Sequence, residues 1–139
     1  MVTGVTVLIS LVEKARGIDL VTDFLAQFAT LDTVTPLVAF LTGIVSVYSS
    51  TSGVVLPAFL PMVPGLAERL PGADPLAIAS AMNVGGHLVD VSPLSTIGAL
   101  CIAAVPPGEE ARALFNKLLA WGLSMAVVGA GVSWLLFGR

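Results

Sequence analysis

Apolar positions dominate this chain, and its polar positions fall in a few well-defined places. From Thr33 through Ala67, 35 residues pass without Asp, Glu, Lys or Arg. At the middle of that stretch lies SVYSSTSGVVLP, residues 46–57, with five Ser/Thr hydroxyls and a glycine. Thirty-five helical residues extend about 52 Å. That is too long for one span across a hydrocarbon core about 30 Å thick and too short for two. The pattern therefore predicts a re-entrant hairpin over 33–66, with half-helices near 35–47 and 53–64 and YSSTSG at the turn. Pro57, Pro61 and Pro64 predict that its second half departs from a regular helix.

The pattern then repeats in another form. An LPGADP loop precedes a helix start at Asp74 with Pro75 in the first position. Residues 75–89 are apolar and small, DVSPLST interrupts, and Ile97 to Val105 resumes. Pro93 removes a backbone donor and disfavours helix at Ser92, so a single helix broken in the middle is predicted over 74–105. After PPGEEAR comes a last span, 114–138, whose run from Leu118 to Gly138 is uninterrupted, with Trp121 and Trp134 near its ends. At the other terminus, residues 1–12 are uncharged but too few for a span, and 1–14 reads as the end of a helix. Over 15–32, Val21, Phe24, Leu25 and Phe28 share one helical face while Asp19, Asp23, Gln27 and Thr30 share the other. An amphipathic helix lying at a membrane interface is predicted there.

Composition sharpens this into a class. Of 139 residues, 56% are hydrophobic and 11% charged, and the mean hydropathy is +0.99. A soluble domain carries about 25% charged residues, so these charges are too few to coat a water-facing surface. The expectation is an all-α, multi-pass protein of the cytoplasmic membrane, in contact with lipid. The net charge of −3 comes without a basic patch, which argues against nucleic acid as a partner. The start, MVTGVTVLISLVEKARG, lacks the positive n-region and small-residue cleavage site of a signal peptide. A same-side hairpin groups Lys14, Arg16, Arg69 and Arg139 on one side and Arg112 and Lys117 on the other, so positive-inside counting weakly favours the first side as cytoplasmic.

Candidate chemistry concentrates at the two polar interruptions. Non-helical backbone at membrane depth persists where it is buried in protein or lines a wet cavity. Freed carbonyls there hold a cation, and amides at a half-helix N-terminus favour an anion. Ser52 and Ser95 are placed as N-caps. Ser49, Ser52, Gly53, Asp90 and Ser92 form the candidate cation set, for a coupling Na+ and no other metal; H+ is the alternative coupling ion. Paired broken segments of this kind point to a secondary transporter's site, against the plainer reading that the hydroxyls bond their own or neighbouring helices. Asp90 is a functional candidate by its depth. His87, three residues earlier, shares its face, either as a structural pair or as a proton-sensitive element. Asn83 reads as an interhelical bond, Gly85 and Gly86 as close packing, and Cys101 as a small buried hydrophobe. One histidine and one cysteine make no zinc site, and no cofactor is expected. HLVDVS contains Ser, His and Asp, but not at the spacing of nucleophile and base, so no enzyme is expected.

VYSSTSGVVLPAFLPMVPGLA, followed by MNVGGHLVDVSPLSTIGALCIAA, resembles the C-terminal half of the malonate/dicarboxylate carriers (MatC-type) of the ion transporter superfamily, related to the divalent anion:sodium symporters. The resemblance runs over about residues 5–137. It implies that 1–14 ends a scaffold helix, 15–32 is a horizontal arm, and 33–139 is half of a transport domain, one inverted repeat of an elevator-type transporter. A Ser-Asn-Thr signature of the symporters falls on Ser49, Ser50 and Thr51, and a second on Ser92, Pro93 and Ser95, with serine or proline standing where asparagine would be. With Thr96, these form the substrate set that the resemblance implies for a small dicarboxylate. It further implies a C-terminus outside the cell, a partner supplying the missing N-terminal half, and a homodimer of the complete carrier. The alternative is a small membrane protein that does not transport and pairs with a full-length carrier.

Overall fold

The computed structural model describes residues 17–138 together with Gly4, Thr6, Val7 and Ser10. The end of a scaffold helix expected over 1–14 lies largely outside the described residues. Among these residues the fold is helical, without a strand. Its elements are α1 (Gly17–Phe28), α2 (Val34–Tyr48), α3 (Thr51–Arg69), α4 (Pro75–Leu88), α5 (Thr96–Ala103) and α6 (Glu109–Phe137). Two of them, α3 and α6, are long and apolar enough to cross a membrane.

Each boundary has a local cause. Ser49 is fully extended (φ −148°, ψ 165°) and ends α2. Ser50 then caps α3, accepting the Gly53 N–H at 3.2 Å. Ser52, the cap expected from the sequence, is already inside the helix and exposed, because the helix begins two residues earlier than the run of hydroxyls suggests. α3 survives Pro57, Pro61 and Pro64 by changing its winding, with a π-helical turn at Thr51–Val55 and a 3₁₀ turn at Leu60–Met62. These turns absorb the missing donors, so α3 continues to Arg69, well beyond the half-helix expected near 53–64. Asp74 caps α4 by accepting the Leu76 N–H at 2.9 Å, with Pro75 in the first position. Residues 89–95 fold as successive tight turns closed by Asp90 N–H to His87 O, Ser92 N–H to Val89 O and Ser95 N–H to Ser92 O. Ser95 caps α5 through the Gly98 N–H. α6 begins at Glu109, with Glu110 beside it at the favourable helix end. It starts earlier than the span expected from 114, which puts Trp121 in its middle and only Trp134 near an end.

α2 lies at the centre and packs against both α4 and α6. Its approach to α4 is backbone to backbone: a Cβ on Gly85 would sit 2.1 Å from the Ala39 carbonyl oxygen. One end of the bundle, the base, is closed by Leu25, Val34, Val38, Met62, Leu66 and Met82 among other buried apolar side chains. Here α1 meets α3, with Arg69 Nε 2.7 Å from Asp23 Oδ1. Where two faces were expected, α1 presents three. Thr22 and Leu25 are buried, as is Ala29 just past the helix; Asp19, Asp23 and Gln27 are polar and exposed, as is Thr30 after them; and Leu20, Val21, Phe24 and Phe28 form an exposed apolar stripe, with Leu31 exposed in the turn that follows. The Phe24 and Phe28 rings pack at a tilt within that stripe, 5.0 Å between centroids and 56° between planes. α5 touches little but α6, which leaves Ile97, Leu100 and Cys101 exposed. Cys101 is therefore not the buried hydrophobe expected of it.

Candidate functional site

The hairpin turn between α2 and α3 and the break between α4 and α5 are packed together. Ser92 Oγ, fully buried, donates to Val47 O at 2.8 Å. Thr51 Oγ1 donates to Asp90 Oδ1 at 2.9 Å. Ser46 Oγ and Thr51 Oγ1 are hydrogen-bonded to each other, and each lies 3.2 Å from the Gly86 carbonyl oxygen. Asp90 joins the starts of α3 and α5: its carboxylate meets Thr51 of α3, and its carbonyl accepts from Ser95 Oγ, the cap of α5, at 2.5 Å. The carboxylate thus stands at the N-terminus of α3, where a helix favours an anionic group.

This seam has a defined height. A Cβ on Gly122 would sit 3.0 Å from Ser92 Cβ, and Gly122 is the fourteenth residue of the 29-residue α6. The two interruptions therefore meet level with the midpoint of the longest helix. The break itself is tight. A Cβ on Gly98 would fall 1.9 Å from the Ser92 carbonyl oxygen, so α5 starts directly against the turn that precedes it.

The candidate residues divide by what their side chains do. The hydroxyls of Thr51, Ser92 and Ser95 are buried and engaged within the protein. Pro93 is buried beside them, and Asp90 is half-buried. Ser50 is half-buried and serves as a cap, while Ser52, Gly53 and Thr96 are exposed. Ser49 is half-buried, and its Oγ has no partner. The set thus lies along the hairpin turn and the break, with Thr51, Ser92 and Ser95 in a bonded interior, Ser49 Oγ buried without a partner, Ser50 held as a cap, and Ser52 and Thr96 exposed. His87 does not pair with Asp90. α4 ends at Leu88, the helical relation between the two side chains is lost, and His87 Nδ1 instead bonds Asn83 O at 3.0 Å. His87 and Ser92 are likewise bonded elsewhere rather than to each other. The Asn83 side chain is exposed. Ser46, counted among the hydroxyls of its stretch, and Gly86, read as close packing, were given no place in the candidate set, although each lies about one helical turn before a polar interruption. Among the described residues, no group of three or more His, Cys, Asp or Glu side chains is arranged to hold a metal ion.

Comparison of the chain with protein-family models, curated proteins and solved structures finds no match.

Proposed function

We propose that this chain is one half of a secondary carrier for a small dicarboxylate in the cytoplasmic membrane, coupled to Na+ or H+. The observation that carries this reading is the seam. Two serine-capped helices, the span-length α3 and the short α5, begin there, level with the midpoint of a second helix long enough to span. Such an arrangement suits an anion held by helix N-termini and hydroxyls. In this reading Ser49, Ser50, Ser52 and Thr96 face the substrate, and Thr51, Ser92 and Ser95 fix the geometry behind them. A second, inverted half completes the site, and the whole moves as an elevator against a scaffold.

The decisive test isolates the native polypeptide with an antibody against its C-terminal region and reconstitutes it in liposomes. The expected product takes up malonate or a C4-dicarboxylate down an imposed ion gradient. Ser50→Ala should lower uptake about tenfold, the scale of one lost hydrogen bond to a charged group. Uptake that is absent, or unaffected by Ser50→Ala, rejects the reading. One observation favours the second reading, a membrane protein that pairs with a carrier without transporting. Three of the candidate hydroxyls are fully committed to bonds within the chain, as a purely structural latch requires.

A further inference from the structure

The described helices are distributed unevenly about the seam. α2 and α4 run from the base up to it, with Val34, Ile78 and Met82 in the base core and Val47 and Val89 at the seam, and α3 returns from Thr51 to Leu66. α6 accompanies them from Gly122, beside Ser92, to Phe137, which packs on the base core. Beyond the seam, among the described elements, only α5 and the part of α6 before Gly122 continue, joined by the short loop 104–108 and packed on one another. One half of α6 is thus surrounded by a bundle and the other accompanied by a single short helix.

Lipid suits only part of what this leaves open. Of the residues of α5 only Gly98 is buried, and Leu100 is 67% exposed, which lipid tolerates. Ser52, Gly53 and Thr96 are exposed at the seam as well, and Asn83 and His87 are exposed one turn apart on α4. A Cβ on Gly129 would sit 3.4 Å from Gly85 Cα, so these α4 side chains stand level with the middle of α6. With α6 spanning a membrane, that is near mid-depth, where polar side chains and chain breaks face protein or water rather than lipid. His87 Nδ1 donates to Asn83 O, leaving Nε2 without a partner, and Asp90 gives Thr51 one carboxylate oxygen and keeps the other.

We propose that the occupant is a second copy of this chain, inverted in the membrane about a two-fold axis at the level of the seam. Inversion sets the bundle half of one copy beside the two-helix half of the other and fills both. A parallel copy leaves the same half thin twice. A two-fold contact must be self-complementary. This chain carries exposed donors on Asn83 and, as imidazolium, on His87, and a spare acceptor on Asp90 just past the end of α4, so the donors of each copy serve the carboxylate of the other. The sequence permits both orientations, since its Lys and Arg divide only four to two between the sides. The inference names the half that completes the proposed site, and for its function it rests on that reading.

The full chain is expressed in a bacterial membrane with Cys101→Ser and one new cysteine, Pro107→Cys, in the exposed α5–α6 loop. A membrane-impermeant maleimide should label about half of the chains from outside and the rest only after permeabilisation, as equal numbers of the two orientations require. Native mass spectrometry of the extracted protein should give twice 14.2 kDa. His87→Leu should lower the dimer fraction about tenfold, the scale of one hydrogen bond to a charged group, with helicity unchanged. If that variant fails to fold, Asn83→Leu should show the same loss. Labelling confined to one side, a monomer, or a dimer indifferent to both substitutions overturns the proposal. Inverted dimers that take up no dicarboxylate keep it and reject the carrier. Uptake by a chain labelled from one side only, and joined to a different polypeptide, does the reverse.

Discussion

The two ends of the bundle are closed by different means. At the base, buried apolar side chains of α1, α2, α3 and α4 interlock, and the one ion pair among the described residues sits outside that core, partly exposed. At the seam, the apolar contribution shrinks to Val47, Val89 and Ala126, and closure falls to hydroxyls, a carboxylate and backbone carbonyls. Apolar packing has no direction and degrades gradually when an atom is removed. A buried hydrogen-bonded seam is stringent, because removing one partner strands the other. The base is built to hold one arrangement, and the seam is built so that few bonds decide whether hairpin and break stay together.

Substitutions can break that contrast, and the largest effect is expected where backbones touch. Gly98→Val would drive a side chain into the Ser92 carbonyl at 1.9 Å and Gly85→Val would do so against Ala39, so both should yield no monodisperse protein in size-exclusion chromatography. Next comes the base: Leu66→Ala should cost about 2–5 kcal/mol, read as a lowered melting temperature in detergent, with the seam's protection from hydrogen exchange unchanged. Thr51→Val should cost about 1–2 kcal/mol but act locally, raising amide exchange at residues 46–53 and 86–95 together. Exchange that rose throughout the base as well would mean the two ends are not separate units. Smallest of all, Asp23→Asn should shift stability by about 0.2–1 kcal/mol or less, since its ion pair with Arg69 is open to solvent.

Much of the fold was legible because breaks are written in local chemistry. Asp74-Pro75 and Ser95 name their own helix starts, and a charge-free run of fixed length confines what lies between Thr33 and Ala67. What stayed hidden depends on partners distant in the chain. Nothing near Ser92 announces Val47, and nothing near Thr51 announces Asp90, 39 residues on. The periodicity of α1 showed polar against apolar. It did not show which apolar residues touch protein, because Leu25 and Phe24 are equally apolar and only tertiary packing separates them. Likewise, three prolines in α3 read as a departure from a regular helix, which the non-α turns display, but the sequence did not show that the helix continues through them to Arg69.

The bonded core of the seam also has a direction. Ser46 and Thr51 own one hydroxyl proton each, to be shared among the Gly86 carbonyl, the Asp90 carboxylate and one another. Thr51 points its proton at the carboxylate, which leaves Ser46 to point its own inward. Two donors thus serve more acceptors than they can satisfy at once, and the loss of either hydroxyl unlinks a chain of bonds that runs from the start of α3 back into the centre of the bundle.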